Sequence, residues 1–366
     1  MRVILILLLI CLAMESHANE ESMLDQMSDY EQGHVLRLLH KRGWQVESNT
    51  EGKTVSFVDI FRYPVFVEFE SLPLFPNKIH VLSQTSFIRR EVIPQKGDVF
   101  SRSDLAETVR NLRGLGVFNL VAAVPIKTEE PDTVGVLIVT RDLWSLRLES
   151  AFQVTGTVVD RLQAQLTERN LFGRGIQALV RYNLQPLYFS TGALFSNRRL
   201  MGNPYMLTVA SDMFFDRASG NYEGYSVSLY TGRPFYRRND RYSYGVSAAR
   251  GSGVVRQEQM GARAYWDDSE TDDEEAVPRG WSYESYSLSL SGDLQFRSDY
   301  VYRVGGGASL SQYQAEVLRS LEYDSLAPLA QVRFNDQVVP ESLLLAYPHT
   351  RFSFYRDRFS VFRNLS

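Results

Sequence analysis

From Phe152 onwards the chain repeats one pattern: apolar and polar side chains alternate with a period of two, in one short segment after another. Leu162, Ala164 and Leu166 alternate with Arg161, Gln163, Gln165 and Thr167. Ile176, Ala178, Val180 and Tyr182 interleave with Gln177 and Arg181. Tyr286, Leu288, Leu290, Gly292 and Leu294 interleave with Ser287, Ser289, Ser291, Asp293 and Gln295. Similar runs recur at Tyr205–Phe215, Tyr225–Phe235, Tyr242–Ala249 and Tyr302–Leu310. A period of two makes strands with one apolar and one polar face, so this half of the chain must be an antiparallel β structure. After residue 20 no apolar run approaches the roughly 18 residues a spanning helix needs, so any crossing of a bilayer is by strands.

Two architectures share that alternation, a soluble sandwich and a membrane barrel. The aromatics decide between them. The chain carries 20 Tyr and 21 Phe, and Tyr205, Phe214, Phe215, Tyr225, Phe235, Tyr236, Tyr242, Tyr244, Phe296, Tyr300 and Tyr302 crowd the strand ends, as interfacial girdles do. We therefore expect an antiparallel transmembrane β-barrel over 149–366, of roughly ten strands at about ten residues each. Gly173-Arg174-Gly175, Gly202-Asn203-Pro204 and Arg237-Arg238-Asn239-Asp240 read as short connections, and Gly253–Ser282 as a long polar loop. Within that loop Asp267–Glu275 holds seven acids in nine residues but lacks the glycine and the ligand spacing of a calcium loop, so it reads as a solvated loop.

The N-terminus is that of an exported protein. Arg2, the apolar run Val3–Ala13 and the small residues Ser16 and Ala18 predict a signal peptide over 1–18, cleaved after Ala18. The single cysteine, Cys11, lies inside it, so the mature chain has no disulfide framework; bulky Ile10 argues against a lipid-modified Cys11. Residues 19–76 read as an N-terminal α/β extension and linker: a helix over Asp29–Arg42 burying Val35, Leu36, Leu38 and Leu39 and ended by Gly43, strands at Val55–Ile60 and Val65–Phe69, then stiff Leu72-Pro73-Leu74-Phe75-Pro76. This extension is either a packing adjunct of the next unit or a partial docking module.

Asn77–Leu148 reads as one unit with the order β-α-α-β-β. Its elements are a strand at Lys78–Leu82, a helix at Ser86–Val92, a turn at Gly97-Asp98 and a helix opened by Ser101 with Leu105, Val109 and Leu112 on its apolar face. Gly114 and Gly116 end that helix, and the strands Leu120–Ile126 and Val134–Val139 follow. Trp144, just beyond, suits either a membrane interface or the closing of this core.

The Lys96-Gly97-Asp98 turn, Leu105, Leu112, the Leu115-Gly116-Val117-Phe118 corner and Val121 resemble a polypeptide-transport-associated (POTRA) domain. Asn170-Leu171-Phe172-Gly173-Arg174-Gly175 is similar to the turn after the second barrel strand in the outer-membrane assembly-factor superfamily, that of BamA and the bacterial surface antigens. The resemblance implies a periplasmic POTRA domain at 77–148 ahead of an outer-membrane barrel. It implies a role in insertion or export of outer-membrane proteins, with outer-membrane lipid and unfolded clients or periplasmic accessory proteins as partners. Strand addition would be the means, at a POTRA edge such as Leu120–Ile126 and at a barrel edge near Phe152–Gly156.

The chain departs from the family in two respects. It has fewer strands than the family's barrels carry, and it ends Val361-Phe362-Arg363-Asn364-Leu365-Ser366 without the closing aromatic. Val277-Pro278-Arg279-Gly280-Trp281 only superficially matches the family's inward loop motif, so that role is not carried over. The expectation is thus an incomplete barrel, a truncated product whose about six missing strands are encoded further on. The alternatives are a small closed barrel, pairing with a second polypeptide, a surface-antigen barrel without insertase activity, or a secreted soluble β protein.

No catalytic, cofactor-binding or metal-binding residues are predicted. The histidines, His17, His34, His40, His80 and His349, have no metal spacing, and no nucleophile elbow or phosphate loop occurs. Gly305-Gly306-Gly307 sits inside an alternating strand, where glycine relieves crowding. A net charge of -4 argues against nucleic acid as a partner.

Overall fold

The structure is a computed structural model, and it describes residues 24, 27–67, 77, 80–237, 239–259, 262–266, 277–297, 301–317 and 342–355. The signal peptide with Cys11, the linker at 72–76, the acidic run 267–275 and the segment after 355 lie outside the described residues. The chain divides into two compact units that part between Leu143 and Trp144.

In the first unit, helix α1 (Asp29–Arg42) begins where Ser28 accepts from the Glu31 amide while the Glu31 carboxylate accepts from the Ser28 amide, and ends on Gly43 with φ of 67°. Such reciprocal capping satisfies two amides that the first turn otherwise leaves unpaired. Helix α1 buries His34, Val35, Leu38 and Leu39, but Leu36 is 46% exposed. The expectation for Leu36 fails because a helix has 3.6 residues per turn, and position 36 falls off the 35–38–39 stripe.

Strands β1 (Thr54–Tyr63), β2 (Phe118–Lys127) and β3 (Thr133–Asp142) form a three-stranded sheet ordered β1-β3-β2, with β1 parallel and β2 antiparallel to β3. Helices α2 (Thr85–Arg89) and α3 (Arg102–Arg113) cover one face. There Leu105, Val109 and Leu112 meet Ile88, Val121, Val136 and Ile138. Helix α1 covers the other face through Leu38, Leu39, Leu120, Val124 and Leu137. The sheet is thus buried on both sides, which is why β2 and β3 read as nearly continuous apolar runs rather than alternating ones.

This arrangement corrects two expected strands. Of the expected strand Lys78–Leu82, Lys78 and Ile79 lie outside the described residues and His80, Val81 and Leu82 are irregular; the strand that precedes α2 in the sheet is β1. Val65 and Phe66 form a bend rather than a strand. Among the described residues of 19–76, α1 packs on this sheet and β1 joins it.

The second unit is one antiparallel sheet of ten strands in the order β17-β16-β15-β10-β9-β8-β7-β6-β5-β4. The strands are β4 (Leu146–Thr155), β5 (Val158–Leu171), β6 (Ile176–Leu184), β7 (Tyr188–Asn197), β8 (Met206–Asp216), β9 (Tyr222–Arg233), β10 (Tyr242–Arg256), β15 (Gly280–Arg297), β16 (Val301–Val317) and β17 (Ser342–Tyr355). Between β10 and β15 lie two minimal hairpins, β11 (Glu258–Gln259) with β12 (Ala262–Arg263) and β13 (Tyr265–Trp266) with β14 (Val277–Pro278). The expected loop Gly253–Ser282 is shorter than its composition implied, because Gly253–Arg256 pair with Gly280–Tyr283 and extend the ladder. Every long-strand pairing joins neighbours in sequence. The sheet is not closed: among the described residues β4 pairs only with β5, and β17 only with β16.

Candidate functional site: an inverted sheet with an open edge

The two faces of the ten-stranded sheet differ in polarity in the sense opposite to a soluble protein. Along β15, Tyr286, Leu288, Leu290, Leu294 and Phe296 are 41%, 46%, 51%, 53% and 57% exposed, while Ser287, Ser289 and Asp293 between them are less exposed and Gln295 is buried. Register carries the apolar stripe across the sheet. Leu288 stands opposite Ala248 and Leu310, Leu229 opposite Val209 and Ala248, and Val180 opposite Leu166 and Ala193. Side chains alternate faces, so these residues share one continuous surface. A soluble chain rarely exposes an apolar surface of this extent.

The other face is polar and internally paired. Arg181 of β6 and Asp212 of β8 form a two-pronged ion pair across β7, with Nε to Oδ1 at 2.7 Å. It is possible because Gly192 lies between them: a Cβ there would overlap the Asp212 carboxylate. Gly305 plays the same part beneath Asp293, so at this position of the glycine run in β16 the missing Cβ relieves crowding. At the ends of these strands Arg256 of β10, whose register position is on the row of Val246 and Ala248, reaches Glu223 of β9 and, at 3.3 Å, Asp216 of β8, with all three side chains nearly buried. Arg303 donates to Gln295 at 2.9 Å, and Ser243 to Asp293 at 3.2 Å. These partners lie 31 to 50 residues apart in sequence, except for the Arg303 pair, and no local motif announces them.

The edges differ sharply. Strand β4 is exposed at every position but Arg147, with Leu148 77% and Phe152 74% exposed. Its backbone row away from β5 is a ready template for another strand. The expected edge at Phe152–Gly156 is thus part of a longer one that starts at Leu146.

The other expected template, Leu120–Ile126 in β2, is largely occupied by its own chain. Lys127 donates to the Gln45 carbonyl at 2.8 Å and Glu47 to the Pro125 carbonyl at 3.0 Å, which places the odd-numbered residues of β2 on the outer side. Pro125 has no amide to offer, and the Arg113 guanidinium donates to the Val121 carbonyl at 3.1 Å. Little of this edge is left for an incoming strand.

Two ionisable groups of the first unit are shifted. The ammonium of Lys53, 2.7 Å from Glu47, holds that carboxyl below its usual value, with help from the Asn49 amide. Burial raises the Tyr63 phenol. His80 Nε2 lies 2.9 Å from the Asp142 carboxylate, and both side chains are buried. Among the described residues no group of three or more His, Cys, Asp or Glu could hold a metal ion.

No protein-family model matches the sequence, and none of the curated proteins does. Among solved structures the chain is similar to BamA from Haemophilus ducreyi lacking POTRA domains 1-3, at 12% identity and a TM-score of 0.41 over 73% of this chain and 53% of that one. It is also similar to CdiB from Acinetobacter baumannii, at 11% identity and a TM-score of 0.36 over 84% of this chain and 53% of that one. A third likeness is to FpvA of P. aeruginosa, at 14% identity and a TM-score of 0.25 over 57% and 34%. The chain spans about half the length of the first two.

Proposed function

We propose that this chain is an outer-membrane protein of the assembly and translocation class, whose strand β4 pairs with extended client strands during insertion or export. The observation that carries this reading is the inversion of the ten-stranded sheet, apolar on its exposed face and ion-paired on the other. Lipid is the solvent in which that surface is stable. In lipid an unpaired strand edge leaves each backbone group without a partner at several kcal/mol apiece, so β4 gains strongly from any strand placed beside it. Such pairing takes its affinity from main-chain hydrogen bonds and is therefore tolerant of client sequence.

The first unit supports the reading by its β-α-α-β-β order from β1 to β3 and its mixed sheet, the arrangement expected of a POTRA domain, with α1 added on the second face. In this reading it stands in the periplasm and meets clients or accessory proteins. With most of the β2 edge capped, client pairing falls to β4. The reading assigns no catalytic residue, cofactor or metal. The experiment is depletion of the protein followed by measurement of outer-membrane protein levels. A general fall supports the assembly role; unchanged levels leave a surface barrel without insertase activity.

A further inference from the structure

The ten-stranded sheet is electrically polar along its strands. Up-and-down order puts the connections after β5, β7, β9 and β15 at the end where β4 begins, and those after β4, β6, β8, β10 and β16 at the other. At the first end the connections 198–205 and 233–241 hold Arg198, Arg199, Arg233, Arg237, Arg238 and Arg241 against one acid, Asp240. At the other end, the connection 257–279 holds eight acids against Arg263 and Arg279.

Asp240, the acid of these two connections, is already committed. Its carboxylate accepts from the Tyr236 and Arg237 amides at 2.8 and 2.9 Å and from Arg233 at 3.1 Å, which closes the turn. The two basic connections are also joined to each other: the Tyr236 hydroxyl donates to the Arg198 carbonyl, and the Arg199 guanidinium lies 4.2 Å over the Tyr236 ring. Arg198, Arg237 and Arg241 are exposed. On the apolar face beside them, Tyr205, Tyr242 and Tyr244 are 40%, 50% and 43% exposed, and Arg233 lies 4.6 Å over Tyr242. Amphipathic rings beside guanidinium groups are the composition that settles at the headgroup level of a bilayer.

We propose that this arginine and tyrosine rim is a binding surface for anionic phospholipid headgroups, gripping their phosphodiester groups in the leaflet on the side where β4 begins. Arginine suits the task because its planar fork can donate two parallel hydrogen bonds to one phosphate. The surface fixes the depth and direction of the sheet: the basic end is held at an anionic leaflet. This inference rests on the membrane reading above and adds to it a lipid class and a side.

The test uses the full chain refolded into phosphatidylcholine vesicles with and without phosphatidylglycerol, with fluorescent analogues of both lipids reporting which is enriched around the protein. The wild type should enrich phosphatidylglycerol, and added salt should weaken the enrichment. Arg198→Gln, Arg237→Gln and Arg241→Gln should each reduce it by about fivefold, the contribution of one arginine near an anionic surface. The corresponding Lys variants should retain part of it, through charge without the two-pronged hydrogen bond, which separates a charge effect from damage to the fold. Equal enrichment in wild type and the combined Gln variant would overturn the proposal. So would displacement of the lipid by inorganic phosphate at matched concentration, which would mark a free-anion site. Failure of the wild type to insert into either vesicle would instead overturn the membrane reading beneath it.

Discussion

The two units of this chain are both built on β-sheet, and they bury opposite things. In the first, Leu105, Leu112 and Ile138 are fully buried between helices and sheet. In the second, Leu288, Leu290 and Leu294 are about half exposed while Arg181 pairs with Asp212, and Ser243 with Asp293, on the opposite face. The same hydrophobic chemistry gives both arrangements if, as proposed, the solvent is water for the first and lipid for the second. Substitutions at equivalent apolar positions should therefore behave differently in the two units.

The largest effect is expected in the first. Leu105→Ala leaves a cavity between α3 and the sheet and should cost about 2–5 kcal/mol, read as loss of the helical circular dichroism signal at lower denaturant. A cost below about 1 kcal/mol would mean that the core is not packed as described. Next comes the outer face of the sheet. Leu290→Arg should destabilise the inserted protein by about 2–4 kcal/mol, whereas Ser289→Arg, one residue away on the polar face, should change it by less than about 1 kcal/mol. Equal costs at the two positions would remove the distinction between the faces.

A smaller effect is expected within the polar face. Asp212→Asn should cost about 1–2 kcal/mol, since Arg181 is a third exposed and the pair is partly screened by water. Adding Gly192→Ala to the wild type should harm the same contact from the other side, because the methyl group takes the space of the carboxylate. The smallest is a pH effect in the first unit. The Glu47 carboxyl is depressed by Lys53, so the pair's stabilisation is present above the carboxyl's ordinary value near 4.5 and is lost as pH falls through its lowered folded value. Glu47→Gln should flatten that part of an acid titration by less than about 1 kcal/mol.

Much of the local structure was legible in the sequence. Helix α1 ends on Gly43, helix α3 is capped by Ser101, and the strands of the sheet follow from period-two alternation. What escaped was non-local. Strand β1 enters its sheet by parallel pairing with β3, some 78 residues away, and nothing in Thr54–Tyr63 itself names that partner. Lys78–Leu82 has strand composition, but its described residues, His80 to Leu82, join no ladder. The capping of β2 by Gln45 and Glu47, and the ion pairs of Arg181 and Arg256, depend equally on register between distant strands. Polarity of the faces was legible as alternation, but alternation alone does not give its direction, because a sandwich and a barrel share the pattern; only the aromatics at the strand ends pointed one way.

That direction is the central claim, and labelling tests it most directly. Single cysteines at successive positions from Ser287 to Leu294, in the full chain inserted into vesicles, would be probed with a water-soluble thiol reagent and with a lipid-soluble quencher. The account predicts alternation, with 288, 290 and 294 reached from lipid and 287, 289 and 291 from water. Uniform reaction with the water-soluble reagent, or alternation in the opposite phase, would contradict it.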